Sequence, residues 1–220
     1  MVLEQVAFDI ETTGFDADDV VTTVGFAVPM GVQVFVQSAG REATQLEAAV
    51  EAEVSDTLVN VSTVASEREL LAAVSKFVTE RFRDDMLLVA YNGEKWKGGF
   101  DIPFLRTRYA QLELKWPFED VPYADVMPLI TDRFNTTVAG DEHGGLVTTY
   151  DVLCAGSYGE LDPFEDSAEA VTAFEDGRVD ALVLHNVSDV LRTRALARLA
   201  EQYCSKSDFN VKSLTPTRSI

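Results

Sequence analysis

Three short stretches carry carboxylates whose spacing could serve a divalent cation. In Asp9-Ile10-Glu11 the acids stand two residues apart, at the end of an apolar, alternating run from Glu4 to Ile10. Residues two apart on a strand share a face, so both carboxylates project together while Ile10 enters the core. Side by side they repel, and a hard cation that takes oxygen ligands offsets the repulsion. A bare Asp-x-Glu is more often two solvated acids at a strand end. Asp101 lies in Gly99-Phe100-Asp101-Ile102-Pro103-Phe104-Leu105, at or near the start of a helix, where the ordinary use of an Asp is an N-cap. In His185-Asn186-Val187-Ser188-Asp189 the histidine and the final acid are four apart on a helix and so stack on one face. Alone, they read as a hydrogen-bonded surface pair.

The elements that must position these residues follow from periodicity and punctuation. Glu4–Ile10, Asp19–Val28 and Gly31–Gln37 read as a three-stranded meander, with Pro29-Met30-Gly31 as a turn. Glu42–Glu53 has the pattern of an acidic surface helix. Ser66-Glu67-Arg68-Glu69 fits a capping box that opens an amphipathic helix to about Phe82. Met86–Tyr91 is a buried type of strand, and Asp101–Glu113 is helical once Pro103 fixes its first turn. Pro122–Asp125 reads as a short strand, Met127–Phe134 as a short helix and Asp141–Gly145 as a loop. Helices follow at Thr149–Ala155, Ser167–Glu175 and Val179–Cys204, the last long and amphipathic with Val183, Val187, Val190, Leu191 and Leu196 as its apolar stripe. The expectation is one α/β domain over residues 1–204, with a mixed five-stranded sheet flanked by helices. Ser205–Ile220 is expected to be a polar, loosely ordered tail.

Read together, Phe8-Asp9-Ile10-Glu11-Thr12-Thr13-Gly14, Asn92 with Phe100-Asp101, and His185 to Asp189 resemble the three exonuclease motifs of the DEDD (DnaQ-like) 3′–5′ exonuclease family, in the same order. That family has a ribonuclease H-like fold, and the resemblance runs from Glu4 to about Tyr203. The first motif is quite specific, the second moderately so, and the third weak by itself. The resemblance implies a hydrolase that removes nucleotides from the 3′ end of single-stranded DNA or RNA with two Mg²⁺ or Mn²⁺ ions. It implies that Asp9, Glu11 and Asp189 hold one ion and that Asp9 and Asp101 help to hold the second, the two ions roughly 3.5–4 Å apart. His185 is then the general base, and Thr12, Asn92 and Phe104, inside the matched motifs, are candidate substrate contacts.

The chain departs from the family in two places. The family carries a Tyr four residues before the last Asp or a His five before it, whereas here a His stands at the tyrosine spacing. His143, in Asp141-Glu142-His143-Gly144-Gly145, is the fallback base. Between Asn92 and Asp101 the chain is longer than usual and contains Lys95-Trp96-Lys97 and Gly98-Gly99. Lys95, Lys97, Arg106, Arg108 and Lys115 form a local basic island containing only Asp101 and Glu113 as acids. A loop that grips phosphate with Lys95 and Lys97 and stacks a base on Trp96 is one reading. A surface loop whose Trp96 caps the core is the other. A non-catalytic nucleic-acid or protein-binding module on the same scaffold is the alternative function, against which stands the complete set of four acids.

Composition bounds the setting. The 220 residues suit a single globular domain, no apolar run approaches the length of a membrane span, and the start lacks a secretory pattern. Cys154 and Cys204 are too few for a disulfide framework and read as reduced thiols, so the expectation is a cytoplasmic protein with no membrane partner. With no polymerase or helicase region in these residues, any replication, repair or RNA-processing role is expected to run through a separate partner. There are 37 acidic against 18 basic residues, a net charge of −19, and only 6 lysines. Spread along the chain, that acidity resembles the surfaces of proteins from extreme halophiles such as haloarchaea. In molar salt the Debye length falls to about 3 Å, so the charge does not exclude a nucleic-acid substrate. Self-repulsion is expected to unfold the chain as salt is withdrawn. Circular dichroism across a KCl series checks this, and equal folding at low and molar salt contradicts the halophilic reading.

Overall fold

Side-chain alternation along Glu4–Thr12 (β1) sets the layering of the molecule. Val6, Phe8 and Ile10 enter one apolar cluster and Ala7 the opposite one. By the same two-residue period Asp9 and Glu11 share the Ala7 face. The computed structural model describes residues 3–42, 46–54, 57–94, 100–154, 157–166 and 168–218. The remaining strands of the main sheet are Val21–Val28 (β2), Gly31–Gln37 (β3), Val59–Val64 (β4), Met86–Ala90 (β5), Pro122–Asp125 (β6) and Lys212–Ser213 (β9). Their order is β4-β3-β2-β1-β5-β6-β9. The meander β1–β2–β3 is antiparallel, β4 and β5 add in parallel at β3 and β1, β6 follows β5 in parallel, and β9 closes the edge antiparallel to β6.

Glu67–Arg81 (α2) and Asp101–Gln111 (α3) cover the face that carries Phe8, Phe26 and Leu88. The other face, carrying Ala7, Val34 and Val89, is covered by Val179–Tyr203 (α7), which crosses β1, β2 and β3. Around α7 pack Leu46–Glu53 (α1), Val126–Arg133 (α4), Leu146–Cys154 (α5) and Ala168–Asp176 (α6). Enclosed in this way, α7 buries 15 of its 25 residues, among them His185, Asn186, Ser188 and Arg192. It is a central helix with polar groups inside, more than the amphipathic pattern announced, and His185 and Asn186 face the acids of β1.

Several local contacts fix the elements that bear the acids. Ser66 caps α2 by accepting from the Glu69 N–H at 3.4 Å, and the Glu69 carboxylate reaches back to the Ala65 N–H at 2.9 Å. Glu67 accepts from the Val21 N–H at 2.9 Å and from Arg108 Nε and Nη2 at 2.8 and 2.7 Å. This buried pair ties α2 to α3 and to the start of β2. Removing one partner would strand the other charge, at a cost of about 3–5 kcal/mol. Arg108 therefore belongs to the core and not to an exposed basic island.

The sheet has seven strands where five were expected. The added strands are β4, in which Val alternates with Asn, Ser and Thr, and β9, too short to show a period. The segment after Tyr203 was expected to be loosely ordered, yet it returns to the sheet through β9. Phe209 and Leu214 are buried, and Trp116 Nε1 donates to the Leu214 carbonyl at 3.1 Å. After α4, Thr137–Val138 (β7) and Asp141–Glu142 (β8) form a two-stranded hairpin, the second strand inside the Asp141–Gly145 segment expected as a loop. Cys154 and Cys204 are free, and no helix among the described residues is long and apolar enough to cross a membrane.

Candidate active site

Asp9 and Glu11 leave β1 side by side toward α7. Gly25 on β2 lies opposite Asp9, and a Cβ there would sit 2.0 Å from Asn186 Oδ1, so the absent side chain makes room for Asn186 beneath the acids. Asn186 Nδ2 donates to Asp9 Oδ2 at 3.0 Å and reaches Glu11 Oε1 at 3.5 Å. The ladder with β2 is irregular between Glu11 and Thr12, where the chain turns out of the sheet. Thr12 Oγ1 then donates to the Gly14 carbonyl, and the Asp19 carboxylate accepts from Thr13 Oγ1 and the Asp16 N–H. Phe15 is thereby left 68% exposed, with its ring 5.1 Å from that of Phe100.

Asp101 arrives from the other side of the sheet. The N-cap of α3 is Phe100, which makes no side-chain capping bond, and Asp101 is the first helical residue. Its carboxylate is thus not spent as an N-cap. The approach to it is held by Asp125, whose carboxylate accepts from the N–H groups of Asn92 and Glu94 at 2.9 and 3.2 Å while capping α4 at Met127. Asn92 adopts φ +64°, which swings the chain off the end of β5.

From α7, His185 and Asp189 face the same acids. His185 Nε2 lies 3.8 Å from both Glu11 Oε1 and Asp189 Oδ2, and its Nδ1 lies 2.8 Å from Asp162 Oδ1. Arg192 Nη1 bridges Asp162 Oδ2 and Asp189 Oδ1, each at 2.7 Å. The four acids and His185 all line one cleft of about 600 Å³. Phe15, Tyr91, Phe100 and the Gly144-Gly145 backbone complete its walls, and no lysine or arginine lines it among the described residues. The donor set suits hard cations, because Glu11, His185 and Asp189 each offer a ligand atom within 4.8 Å of the others, with Asp9 and Asp101 beside them.

The expected substrate contacts fare unevenly. Asn92 lines the cleft, but Thr12 and Phe104 do not: Thr12 is turned into its own turn, and Phe104 is buried in the α2–α3 core with Phe100 at the cleft in its place. Lys95, Trp96 and Lys97 lie outside the described residues. Of the rest of the basic island, Arg106 sits over the Trp116 ring and Lys115 pairs with Glu119. His143 is not among the residues that line the cleft.

A family model described as the RNase_H superfamily matches residues 6–139. The chain belongs to the RNase H superfamily. Among solved structures its fold is similar to the family B DNA polymerase of the hyperthermophilic archaeon Pyrobaculum calidifontis, with a TM-score of 0.61 and 20% identity over 90% of this chain. The match spans 24% of the polymerase chain. No curated relative matches in sequence. The matched region of this RNase H-like domain carries Asp9, Glu11 and Asp101, whereas His185 and Asp189 lie beyond it on α7.

Withdrawal from water is the largest influence on each of the four acids of the cleft. It raises Asp9 well above the usual carboxylate range, with added repulsion from Glu11, Asp101 and Asp189. Desolvation likewise raises Asp101, and lifts Glu11 to about 7 although His185 partly opposes it. Asp189 is raised despite its favourable neighbours His185 and Arg192. Burial by itself would lower His185, but Glu11, Asp162 and Asp189 more than offset it and push the imidazole up to about 9.

A carboxyl whose pKa is higher in the folded chain favours folding only while it stays protonated. That advantage is present below its unfolded pKa and lost as pH rises through the folded value. In chelator at pH 8, Asp9→Asn is therefore expected to melt above the wild type. Relief on the order of 1 kcal/mol corresponds to ~2–4 °C for a domain of this size. The gap should close near pH 4, and melting curves at the two pH values check both statements.

Proposed function

We propose that this RNase H-like domain is a 3′–5′ exonuclease that hydrolyses single-stranded DNA or RNA with two divalent ions, Mg²⁺ or Mn²⁺. The observation that carries the reading is the convergence of Asp9, Glu11, Asp101 and Asp189, from β1, α3 and α7, on one cleft lined by no lysine or arginine among the described residues. A phosphodiester is an anion, and such a cleft would repel it unless cations intervene. The resemblance of the three motifs to the DEDD family supports the same assignment. The structurally similar chain is a DNA polymerase, which makes DNA the first substrate to test.

In this reading Asp9, Glu11 and Asp189 would hold one ion, and Asp9 and Asp101 would help to hold the other. When bound, such ions would supply activation of a water and stabilisation of charge on the departing 3′ oxygen. With bound cations offsetting the charge of Glu11 and Asp189 that holds the imidazole up, His185 would take the proton of the attacking water through Nε2, the ring nitrogen turned toward the acids. Phe15 and Phe100, paired at the cleft wall, offer ring faces to the terminal bases. A cleft of about 600 Å³ is on the scale of a small-ligand site, which suits the frayed or single-stranded end of a nucleic acid.

The test is the degradation of 5′-labelled single-stranded DNA and RNA oligonucleotides in molar KCl with Mg²⁺, Mn²⁺ or chelator. The expected result is a ladder shortening from the 3′ end that chelator and Asp101→Asn each abolish. His185→Ala should slow it by roughly 10²–10⁴-fold. No shortening with either metal contradicts the proposal, and a full rate in Asp101→Asn removes that residue from the ion site.

A further inference from the structure

Behind the cleft, the short helical turn Ser157–Leu161 and the residues after it lie along α7, and three of their contacts with it fall between His185 and Arg192. Ser188 Oγ donates to the Tyr158 carbonyl at 2.7 Å. The Phe164 ring packs on the His185 imidazole with centroids 5.2 Å apart. Asp162 makes the third and most constrained contact. Its Oδ1 faces His185 Nδ1 at 2.8 Å and accepts from the Phe164 N–H at 3.1 Å, and its Oδ2 accepts from Arg192 Nη1 at 2.7 Å. The side chains of His185, Asp162 and Arg192 are 5%, 7% and 2% exposed, so water does not compete for these bonds.

We propose that Asp162, gripped by Arg192, is a positioning residue that holds the His185 ring with Nδ1–H turned away from the cleft and Nε2 turned toward it. An ionised carboxylate only accepts hydrogen bonds, so Nδ1 must carry the proton. In a neutral ring that leaves Nε2 as the nitrogen able to accept one, and it is the nitrogen 3.8 Å from Glu11 and Asp189. Without Asp162 the ring could turn over or carry its proton on the other nitrogen. Arg192 serves both partners at once, since the nitrogen that grips Asp162 also holds Asp189 Oδ1 and leaves Asp189 Oδ2 on the cleft side. Asp162 lies outside all three motifs and beyond the matched residues 6–139. Its catalytic consequence rests on the function proposed above, whereas its hold on the ring does not.

The chain has only two histidines, so ¹⁵N-histidine labelling with a His143→Gln control isolates His185 in the NMR spectrum of the Mg²⁺-loaded protein. The wild type should show a downfield, slowly exchanging Nδ1 proton from His185, a signal that both neutral and charged rings retain. Asp162→Ala should lose it, with kcat on a single-stranded oligonucleotide falling roughly 10–100-fold at unchanged KM. Asp162→Asn, whose amide oxygen can still accept from Nδ1–H, should restore the signal and part of kcat. A melting curve for each variant confirms that the species measured is folded. The proposal is overturned if the wild type lacks the Nδ1 signal, or if folded Asp162→Ala and Asp162→Asn both keep wild-type kcat. A wild type that degrades no oligonucleotide would instead refute the exonuclease reading, with the Nδ1 signal still deciding the hold of Asp162 on the ring.

Discussion

Drawing four carboxylates out of water into one cleft penalises each charge, and every acid that ionises makes the next harder to ionise. Asp9, Glu11, Asp101 and Asp189 all rise above their ordinary range for that reason. Much of the surrounding architecture can be understood as a response to this repulsion. Asn186 offers a neutral amide to Asp9 and Glu11, and Gly25 leaves the space in which that amide fits. Arg192 places a permanent cation behind Asp189, where it neutralises without filling the cleft.

The fold divides the labour between its two helical layers. On one face α2 and α3 are locked by the Glu67–Arg108 pair, which holds the helix whose first residue is Asp101. On the other, α7 is enclosed by four shorter helices, and this enclosure lets a helix carry His185, Asn186 and Arg192 in its buried surface. Between them β1 presents Asp9 and Glu11, with β6 placing Asp125 to hold the Asn92 and Glu94 N–H groups just past β5. The carboxylates thus come from elements that are rigid for separate reasons, a condition for holding ions at fixed spacing.

Much of this arrangement was legible in the sequence, because strand and helix periods are local. Asp9 and Glu11 share a face by the two-residue period, and His185 and Asp189 by the helical one, as the structure has them. What escaped depends on contacts between distant segments. Asp162 carries no local pattern, and its partners His185 and Arg192 come 23 and 30 residues later in the chain. Asn186 sat inside a noted motif, but its use needs Gly25 from another strand. Phe104 was the expected contact, yet on a helix that starts where expected, at Asp101, it packs with Ile102 and Leu105 against the sheet and α2. Phe100, just before the helix, lies at the cleft. The edge strand β9 is made by pairing with β6, and its two residues announce little. By contrast β4, paired with β3, shows Val59 and Val61 alternating with Asn60 and Ser62, a strand pattern open to reading.

If repulsion among desolvated acids governs the site, the metal-free cleft holds protons near neutral pH and divalent ions must displace them. Isothermal titration calorimetry of Mn²⁺ binding at pH 7, in two buffers of different ionisation enthalpy, measures this directly. The expected result is an apparent enthalpy that differs between the buffers with the sign of proton release, and a release that diminishes in Asp9→Asn. Binding heats identical in the two buffers, or no Mn²⁺ binding in the cleft, would contradict the account.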